Sequence, residues 1–166
     1  MGSKESIIQA LRSAAPQSYP KPDLSALKAD SLRRRDLLEG FCKAIAASGG
    51  KTAFLDGDPE SAAKALFPDT DDIAVVPGRF GVAENGCVYL EEPEDRPRLD
   101  YFVHEALAIV LDRKEIVANM HDAYDRIGEA VTGYGIFISG PSKTADIEQA
   151  LVFGAHGARE VAVLLR

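Results

Sequence analysis

Cysteine is scarce in this chain. The two cysteines, Cys42 and Cys87, lie far apart, and neither belongs to a Cys-x-x-Cys pair or has a nearby histidine partner. The sequence therefore excludes an iron–sulfur cluster or a structural zinc site held by this chain alone. We predict no cofactor for this chain, and we expect both cysteines to be reduced, small apolar side chains.

Long apolar runs and an excess of positive charge are also missing. The longest purely apolar run, Ala106–Leu111, is far shorter than the roughly 20 residues of a membrane span. Residues 1–6 are polar and lack the apolar core of a signal peptide, so we expect a cytoplasmic protein. The net charge of -7 argues against nucleic-acid binding, and the basic residues 33–35, followed by acidic ones, indicate a solvated helix face.

The composition is that of one globular domain. The chain has 166 residues, of which 46% are hydrophobic and 27% charged. Residues 1–23 are predicted to form a short helix begun by Ser3, with Ile7, Ile8 and Leu11 on one face, and then a proline-rich connector. Residues 24–166 are predicted to form a single α/β domain.

Within this domain, short apolar runs alternate with helical patterns. Continuous apolar runs predict strands at residues 52–55, 73–76, 87–90, 107–111, 134–139 and 160–165. Helices are predicted from Leu38 to Gly49, from Asp58 to Phe67, over residues 114–131 and over residues 144–153. Buried strands joined by helical crossovers favour an α/β fold with a mostly parallel sheet between helices.

The loop after the strand at residues 134–139 is the first candidate site. If that strand is parallel and a helix begins at Thr144, the loop lies where open α/β sheets bind anions. Gly140 allows close approach, Ser142 offers a hydroxyl and Lys143 a mobile charge. The alternative is an ordinary helix cap with a solvated lysine, and the spacing of the glycines excludes a P-loop.

The turn at Glu84, Asn85 and Gly86 is the second candidate. Asn-Gly is typical of a hairpin turn, which is the simpler interpretation. Glu84 is otherwise a candidate nucleophile or general acid/base, given burial or neighbours that tune its pKa. Among the histidines, His156 in a glycine-flanked turn is best placed to approach a ligand.

Two stretches resemble the lactate utilization protein C family. The first is Ser139-Gly-Pro-Ser-Lys-Thr-Ala-Asp-Ile-Glu148 with the later Gly-Ala-His-Gly, where the family has Ser-Gly-Pro-Ser-(Arg/Lys)-Thr-Ala-Asp-Ile-Glu and Gly-x-His-Gly. The second is residues 80–90, similar to the family's Gly-(Ile/Val)-Ala-Glu-Thr-Gly turn with Asn85 for threonine. Residues 101–107 match the family pattern only loosely, and the N-terminal part is shorter than in most relatives.

The resemblance implies a three-layer α/β/α sandwich, the fold of ribose-5-phosphate isomerase, glucosamine-phosphate deaminase and coenzyme A transferases. It implies a role in oxidising L-lactate to pyruvate beside partner subunits that carry iron–sulfur clusters. It also favours a small anionic or phosphate-bearing ligand. The predicted ligand-binding residues are Asn85, Gly86, Ser139, Gly140, Pro141, Ser142, Lys143, Thr144, Asp146, Glu148 and His156.

Two other functions stay open. Glu84-Asn85-Gly86 also resembles the Glu-Asn-Gly turn of coenzyme A transferases, although Ala83 stands where those enzymes carry serine. The chain would then be an autonomous transferase-like or sugar-phosphate isomerase-like enzyme with Glu84 as its catalytic residue. Alternatively, the loops bind only another subunit.

Overall fold

A computed structural model describes residues 3–14, 20, 22–23, 37–92, 96–128, 133–145, 151–154 and 156–166. The chain divides into two compact units, Met1–Asp30 and Ser31–Arg166. In the first unit, helix α1 spans Ser3–Ser13, as predicted, and exposes Ile7 and Leu11. Among the described helices, none is long and apolar enough to cross a membrane.

The second unit is built on a parallel sheet, called sheet A. Its strands are β1 (Lys51–Phe54), β10 (Glu160–Leu165), β5 (Ala106–Leu111) and β2 (Ile73–Pro77), hydrogen-bonded in that order. The two central strands pair along their whole length, from Glu160 opposite Ala106 to Leu165 opposite Leu111. The parallel pairing confirms the predicted α/β fold with a parallel sheet. The apolar runs predicted it because strands of a parallel sheet are buried on both faces.

One helix covers each face of sheet A. Helix α3 (Pro59–Leu66) begins where the sequence predicts, since the Asp58 carboxylate accepts a hydrogen bond of 2.8 Å from the Ser61 amide. It packs Ala63 and the following Phe67 on one face of the sheet. Helix α2 (Leu37–Ala47) buries Phe41 and Ile45 against the other.

A second, mixed sheet, called sheet B, packs on the same core as α2. It joins β6 (Ile116–Val117), β3 (Phe80–Val82), β4 (Val88–Glu91) and β7 (Gly135–Ile138) in that order. The β3–β4 and β4–β7 pairs are antiparallel, and β3–β6 is parallel. One face of sheet B joins the core around α2, and helix α4 (Met120–Ile127) covers the other.

The helix predicted over residues 114–131 is wrong in its first part. Residues Arg113–Glu115 form a 3-10 turn, and Ile116 is buried in strand β6 beside Gly81. The helix begins at Met120 because the Asn119 side chain accepts the amide of Asp122, at 2.9 Å. It ends at Ile127, and residue 131 lies outside the described residues.

The helix predicted over residues 144–153 is wrong at both ends. Residues Lys143–Ala145 form β8 and Leu151–Phe153 form β9, paired antiparallel with Thr144 opposite Val152. The β-branched and aromatic residues of β9 suit this pairing, which supplies the backbone hydrogen bonds that a helix would have made. Residues 146–150 lie outside the described residues.

The strand predicted at residues 134–139 is present as β7, but its surroundings differ from the expectation. It lies in sheet B and runs antiparallel to β4, with Phe137 opposite Tyr89. The loop that follows β7 therefore does not leave a parallel strand, and it does not enter a helix. Anion binding at a helix N-terminus does not apply to this loop.

Phe41 tests the core that joins the two sheets. Its side chain has 0% exposure and contacts the region of Gly81 in β3. We expect Phe41→Ala to lower the free energy of unfolding by about 3–5 kcal/mol, because it leaves a cavity at this junction. The exposed Phe54 (66%) is the matched control, and its alanine variant should stay within about 0.5 kcal/mol of wild type. Equal midpoints of the two variants in urea denaturation would contradict this placement of Phe41.

Candidate functional site

A cavity of about 300 Å³ lies at the amino-terminal edge of sheet A, on the side of α2. Its wall combines the loop after β7 with the turn before β10 and with the segment that precedes β5. The lining residues are Tyr101, Phe102, Leu107, Phe137, Ile138, Ser139, Gly140, Pro141, Ser142, Lys143, His156, Gly157, Ala158 and Val161. The cavity thus brings together six of the predicted ligand-binding residues: Ser139, Gly140, Pro141, Ser142, Lys143 and His156.

The loop after β7 rests on the C-terminal end of α2. Gly140 has a φ of +68°, and a Cβ atom there would lie 2.7 Å from the Ser48 carbonyl oxygen. A side chain at this position would meet both a strained backbone conformation and a steric clash. Glycine is therefore required for the loop to reach Ser48.

The Glu84 turn joins the same helix end. Gly86 has a φ of +69°, and a Cβ atom there would lie 2.6 Å from the Ile45 amide nitrogen. The Ser139 hydroxyl donates to the Asn85 carbonyl oxygen at 2.9 Å and approaches the Ser48 hydroxyl at 3.3 Å. Asn85 thus contacts Ser139 and Gly86 packs on α2, but neither residue lines the cavity.

Lys143 supplies the positive charge of the cavity. Its Nζ atom donates to the Ser48 carbonyl oxygen, and the side chain is exposed. An ammonium group has three donors, so Lys143 keeps hydrogen-bonding capacity for a ligand after this contact. Its place at the end of α2 is favourable in itself, because the C-terminal end of a helix attracts cations.

The turn that carries His156 is tied to the same loop. The Ser142 amide donates to the Ala158 carbonyl at 2.9 Å, and the Gly154 amide donates to the Ser142 carbonyl at 3.1 Å. At Gly157 a Cβ atom would approach that of Ser142 to 3.3 Å. These contacts hold the exposed His156 at the cavity. The stretch that begins at Ser139 and the later Gly-Ala-His-Gly stretch therefore meet there.

Glu84 lies outside the cavity. Its carboxylate accepts a hydrogen bond of 3.0 Å from the Met120 amide at the start of α4. The residue is exposed, in a β3–β4 connection of the hairpin type that the Asn-Gly pair predicts. A carboxylate is favourable at a helix N-terminus, so this contact gives Glu84 a structural role.

The other predicted ligand-binding residues are less informative. Thr144 lies in β8, so it is not the helix cap that the sequence indicates. Asp146 and Glu148 lie outside the described residues. The helix cap predicted at Thr144 is therefore wrong, and the roles predicted for Asp146 and Glu148 stay predictions.

A separate polar cluster, outside the cavity, lies at the same edge of sheet A, where the segments that precede β2 and β5 meet. Asp72 accepts a hydrogen bond of 3.1 Å from the Glu105 amide, and its carboxylate lies 2.6 Å from Nδ1 of His104. These two partners, His104 first, lower the pKa of Asp72 below its usual value. Among the described residues, no group of three or more histidine, cysteine or acidic side chains could hold a metal ion.

The two cysteines are buried or half-buried in the fold, as expected for small apolar side chains. Cys87 is buried, Cys42 is half-buried, and both are free. Burial raises the pKa of the Cys87 thiol, with a smaller contribution from the Glu84 carboxylate. A thiol with a raised pKa is a poor nucleophile at neutral pH.

Ser48, Tyr101 and Phe102 are among the residues of the site that sequence reasoning missed. Ser48 holds Lys143 and Ser139, while Tyr101 and Phe102 form an aromatic part of the wall. The Gly49-Gly50 pair predicted where α2 ends, but it did not predict which residues contact that end. For Tyr101 and Phe102, the only signal was an aromatic pair in a polar stretch of the chain.

Gly140 tests the contact between the loop and α2. We expect Gly140→Ala to destabilise the fold by at least about 1 kcal/mol more than Gly57→Ala. Gly57 is the control, because its φ of +95° is also positive and nothing lies within 4 Å of a Cβ atom there. The difference between the two variants in urea denaturation therefore reports the clash with Ser48. Equal losses would contradict the close approach.

Comparison with known proteins gives one family. The family model described as the LUD domain matches residues 61–165. The chain is 32% identical over 98 residues to the lactate utilization protein C of Bacillus pumilus, which covers 55% of this chain and 41% of that protein. It is 31% identical over 90 residues to the lactate utilization protein C of Geobacillus kaustophilus, covering 51% of this chain and 38% of that protein.

A solved structure shows the same fold. A DUF162 family protein from Deinococcus radiodurans superposes with a TM-score of 0.59 at 15% identity, covering 81% of this chain and 98% of the other. The chain spans about two fifths of the length of the curated relatives named above. The family match covers more than half of the chain and includes every described strand from β2 to β10. The chain therefore belongs to the LUD domain family.

Proposed function

We propose that this chain serves L-lactate utilization as a component without an iron–sulfur cluster of its own, and that it holds an anionic group beside Lys143. The names of the similar Bacillus and Geobacillus proteins support the lactate role. The observation that carries the site is the convergence of residues 139–143 with His156 and Gly157 on one cavity.

The chemistry of this cavity suits an anion. Lys143 brings a positive charge and Ser142 brings a hydroxyl group, whereas the Ser139 hydroxyl already donates to the Asn85 carbonyl oxygen. Lactate and pyruvate are carboxylates, and phosphate esters carry the same sign of charge. The cavity would fix such a group by hydrogen bonds to a lysine that α2 already orients.

The oxidation of lactate to pyruvate also needs a route for electrons. In the proposed system, partner subunits with iron–sulfur clusters supply that route, and this chain binds and positions an anionic group. The sequence supports this division, because Cys42 and Cys87 lack the spacing of cluster ligands.

The alternative of an autonomous enzyme with Glu84 as its nucleophile or base has less support. The Glu84 carboxylate is engaged by the Met120 amide, and the residue does not line the cavity. A nucleophile must face the space where its substrate binds. We therefore favour the component over the transferase-like or isomerase-like enzyme.

Purification from native cells tests the proposed complex. We expect the tagged full chain from lactate-grown cells to bring along subunits whose iron–sulfur clusters give broad visible absorbance. Visible spectra and the composition of the preparation measure this at gentle ionic strength, with glucose-grown cells as the control. A colourless chain without partners under both conditions would contradict the component function.

Genetic complementation tests whether Lys143 or Glu84 is needed for growth on L-lactate. In a native strain that lacks the gene, we expect wild type, Glu84→Gln and Lys114→Met to restore growth on L-lactate, and Lys143→Met to fail. Lys114 is a matched control because it is an exposed lysine that follows the carboxyl end of β5, away from the cavity. Loss of growth with folded Glu84→Gln would instead favour catalysis by Glu84, since glutamine keeps a hydrogen-bond acceptor for Met120 but no charge.

A further inference from the structure

The cavity beside Lys143 has two chemically different halves. One half is polar and comes from the loop after β7 and from the His156 turn. The other half is apolar: the half-buried Phe102 and Ile138 provide its exposed surface, and behind them lie the buried Tyr101, Leu107, Ala158 and Val161. Among the described lining residues, Lys143 and His156 are the basic ones and none is acidic.

The aromatic part of the wall is fixed. The Tyr101 ring is buried, and its hydroxyl donates to the Glu91 carbonyl oxygen at 2.8 Å. The half-buried Phe102 ring meets it edge to face, with centroids 6.3 Å apart and planes at 72°. The buried Tyr101 ring therefore holds the Phe102 ring in place, and the exposed part of Phe102 offers hydrocarbon surface to a ligand in the cavity.

The size of the cavity exceeds that of a bare small anion. A volume of about 300 Å³ corresponds to roughly ten water molecules at about 30 Å³ each, and it reaches the lower end of cavities that hold drug-sized ligands. A lactate or phosphate ion beside Lys143 would leave the apolar half filled with water. Water against such a wall is displaced favourably by an apolar group.

From these observations we infer that the ligand is an organic anion in which a carboxylate or phosphate group, held by Lys143, is joined to an apolar body seated against Phe102. This inference rests on the anionic site of the proposed function and specifies its ligand class. The substrate lactate itself is too small to use both halves of the cavity.

Two matched pairs of probes test this ligand class by isothermal titration calorimetry of the full chain. The pairs are inorganic phosphate with phenyl phosphate, and L-lactate with L-3-phenyllactate, so that the phosphate and carboxylate sources are separated. In at least one pair we expect the phenyl derivative to bind ten times more tightly than the bare anion or better. The gain arises because the phenyl ring leaves water together with the exposed surface of Phe102 and Ile138.

Variants test which part of the ligand each half of the cavity binds. Lys143→Met should weaken the phenyl derivative at least tenfold, whereas Lys114→Met should leave its affinity unchanged. Phe102→Ala should remove most of the advantage of the phenyl derivative without changing the affinity of the bare anion. Phe102→Leu, which keeps apolar volume, should retain part of that advantage, and the exposed Phe54→Ala should retain all of it. Circular dichroism establishes that each variant is folded.

The outcomes separate this inference from the function on which it rests. Equal affinity for both members of each pair, with dependence on Lys143, would overturn the apolar subsite and leave the anionic site standing. Tight binding of a phenyl derivative that is independent of Lys143 would overturn the inferred ligand class. If no probe binds at millimolar concentration, both the ligand class and the anionic site are wrong, and growth on L-lactate decides the rest of the proposed function separately.

Discussion

The last turn of α2 is the surface on which the Glu84 turn and the loop after β7 meet, and only glycine lets them reach it. A Cβ atom on Gly86 would lie 2.6 Å from the backbone of Ile45, and one on Gly140 would lie 2.7 Å from that of Ser48. Both glycines also have positive φ angles. Since backbone packs directly on backbone at these points, the Ser139 hydroxyl can connect the two loops through the Asn85 carbonyl oxygen.

This contact also determines how the site obtains its charge. The end of α2 that faces the loops is its C-terminal end, which carries the partial negative charge of the helix and would repel an anion. Lys143 lies on this end and donates to the Ser48 carbonyl oxygen, so it is both neutralising the helix end and available to a ligand. The site therefore depends on one side chain for attraction, and not on a helix N-terminus as the sequence led us to expect.

The sequence predicted most of sheet A because its strands are continuous apolar runs with clear ends. The Asp58–Pro59 start of α3 and the Gly49-Gly50 end of α2 were equally local signals. Sheet B was not recognised as a separate sheet, since strands as short as Ile116–Val117 leave little periodicity to detect. In the same way, Ile116 has helical spacing from Met120, although it lies in strand β6 and the helix begins only after Asn119.

The site was predictable in the parts that are contiguous in the chain. Residues 139–143 and His156 lie close together in sequence, and their chemistry was visible there. Ser48 and Phe102 join them only through the tertiary fold, and the hydrogen bond from Lys143 to Ser48 spans a sequence separation of 95 residues. No local pattern encodes such a contact, because it depends on where α2 ends relative to sheet B.

The error at residues 144–153 shows why the cavity needs a hairpin there. A helix over those residues would extend about 15 Å at 1.5 Å per residue, and it would carry Gly154 away from the loop. In the hairpin, β9 returns beside β8, and the Gly154 amide lies 3.1 Å from the Ser142 carbonyl oxygen. That return keeps His156 and Gly157 beside Ser142 on the wall of the cavity. The helical spacing of this segment is therefore overridden by tertiary hydrogen bonds at the place where the ligand site is assembled.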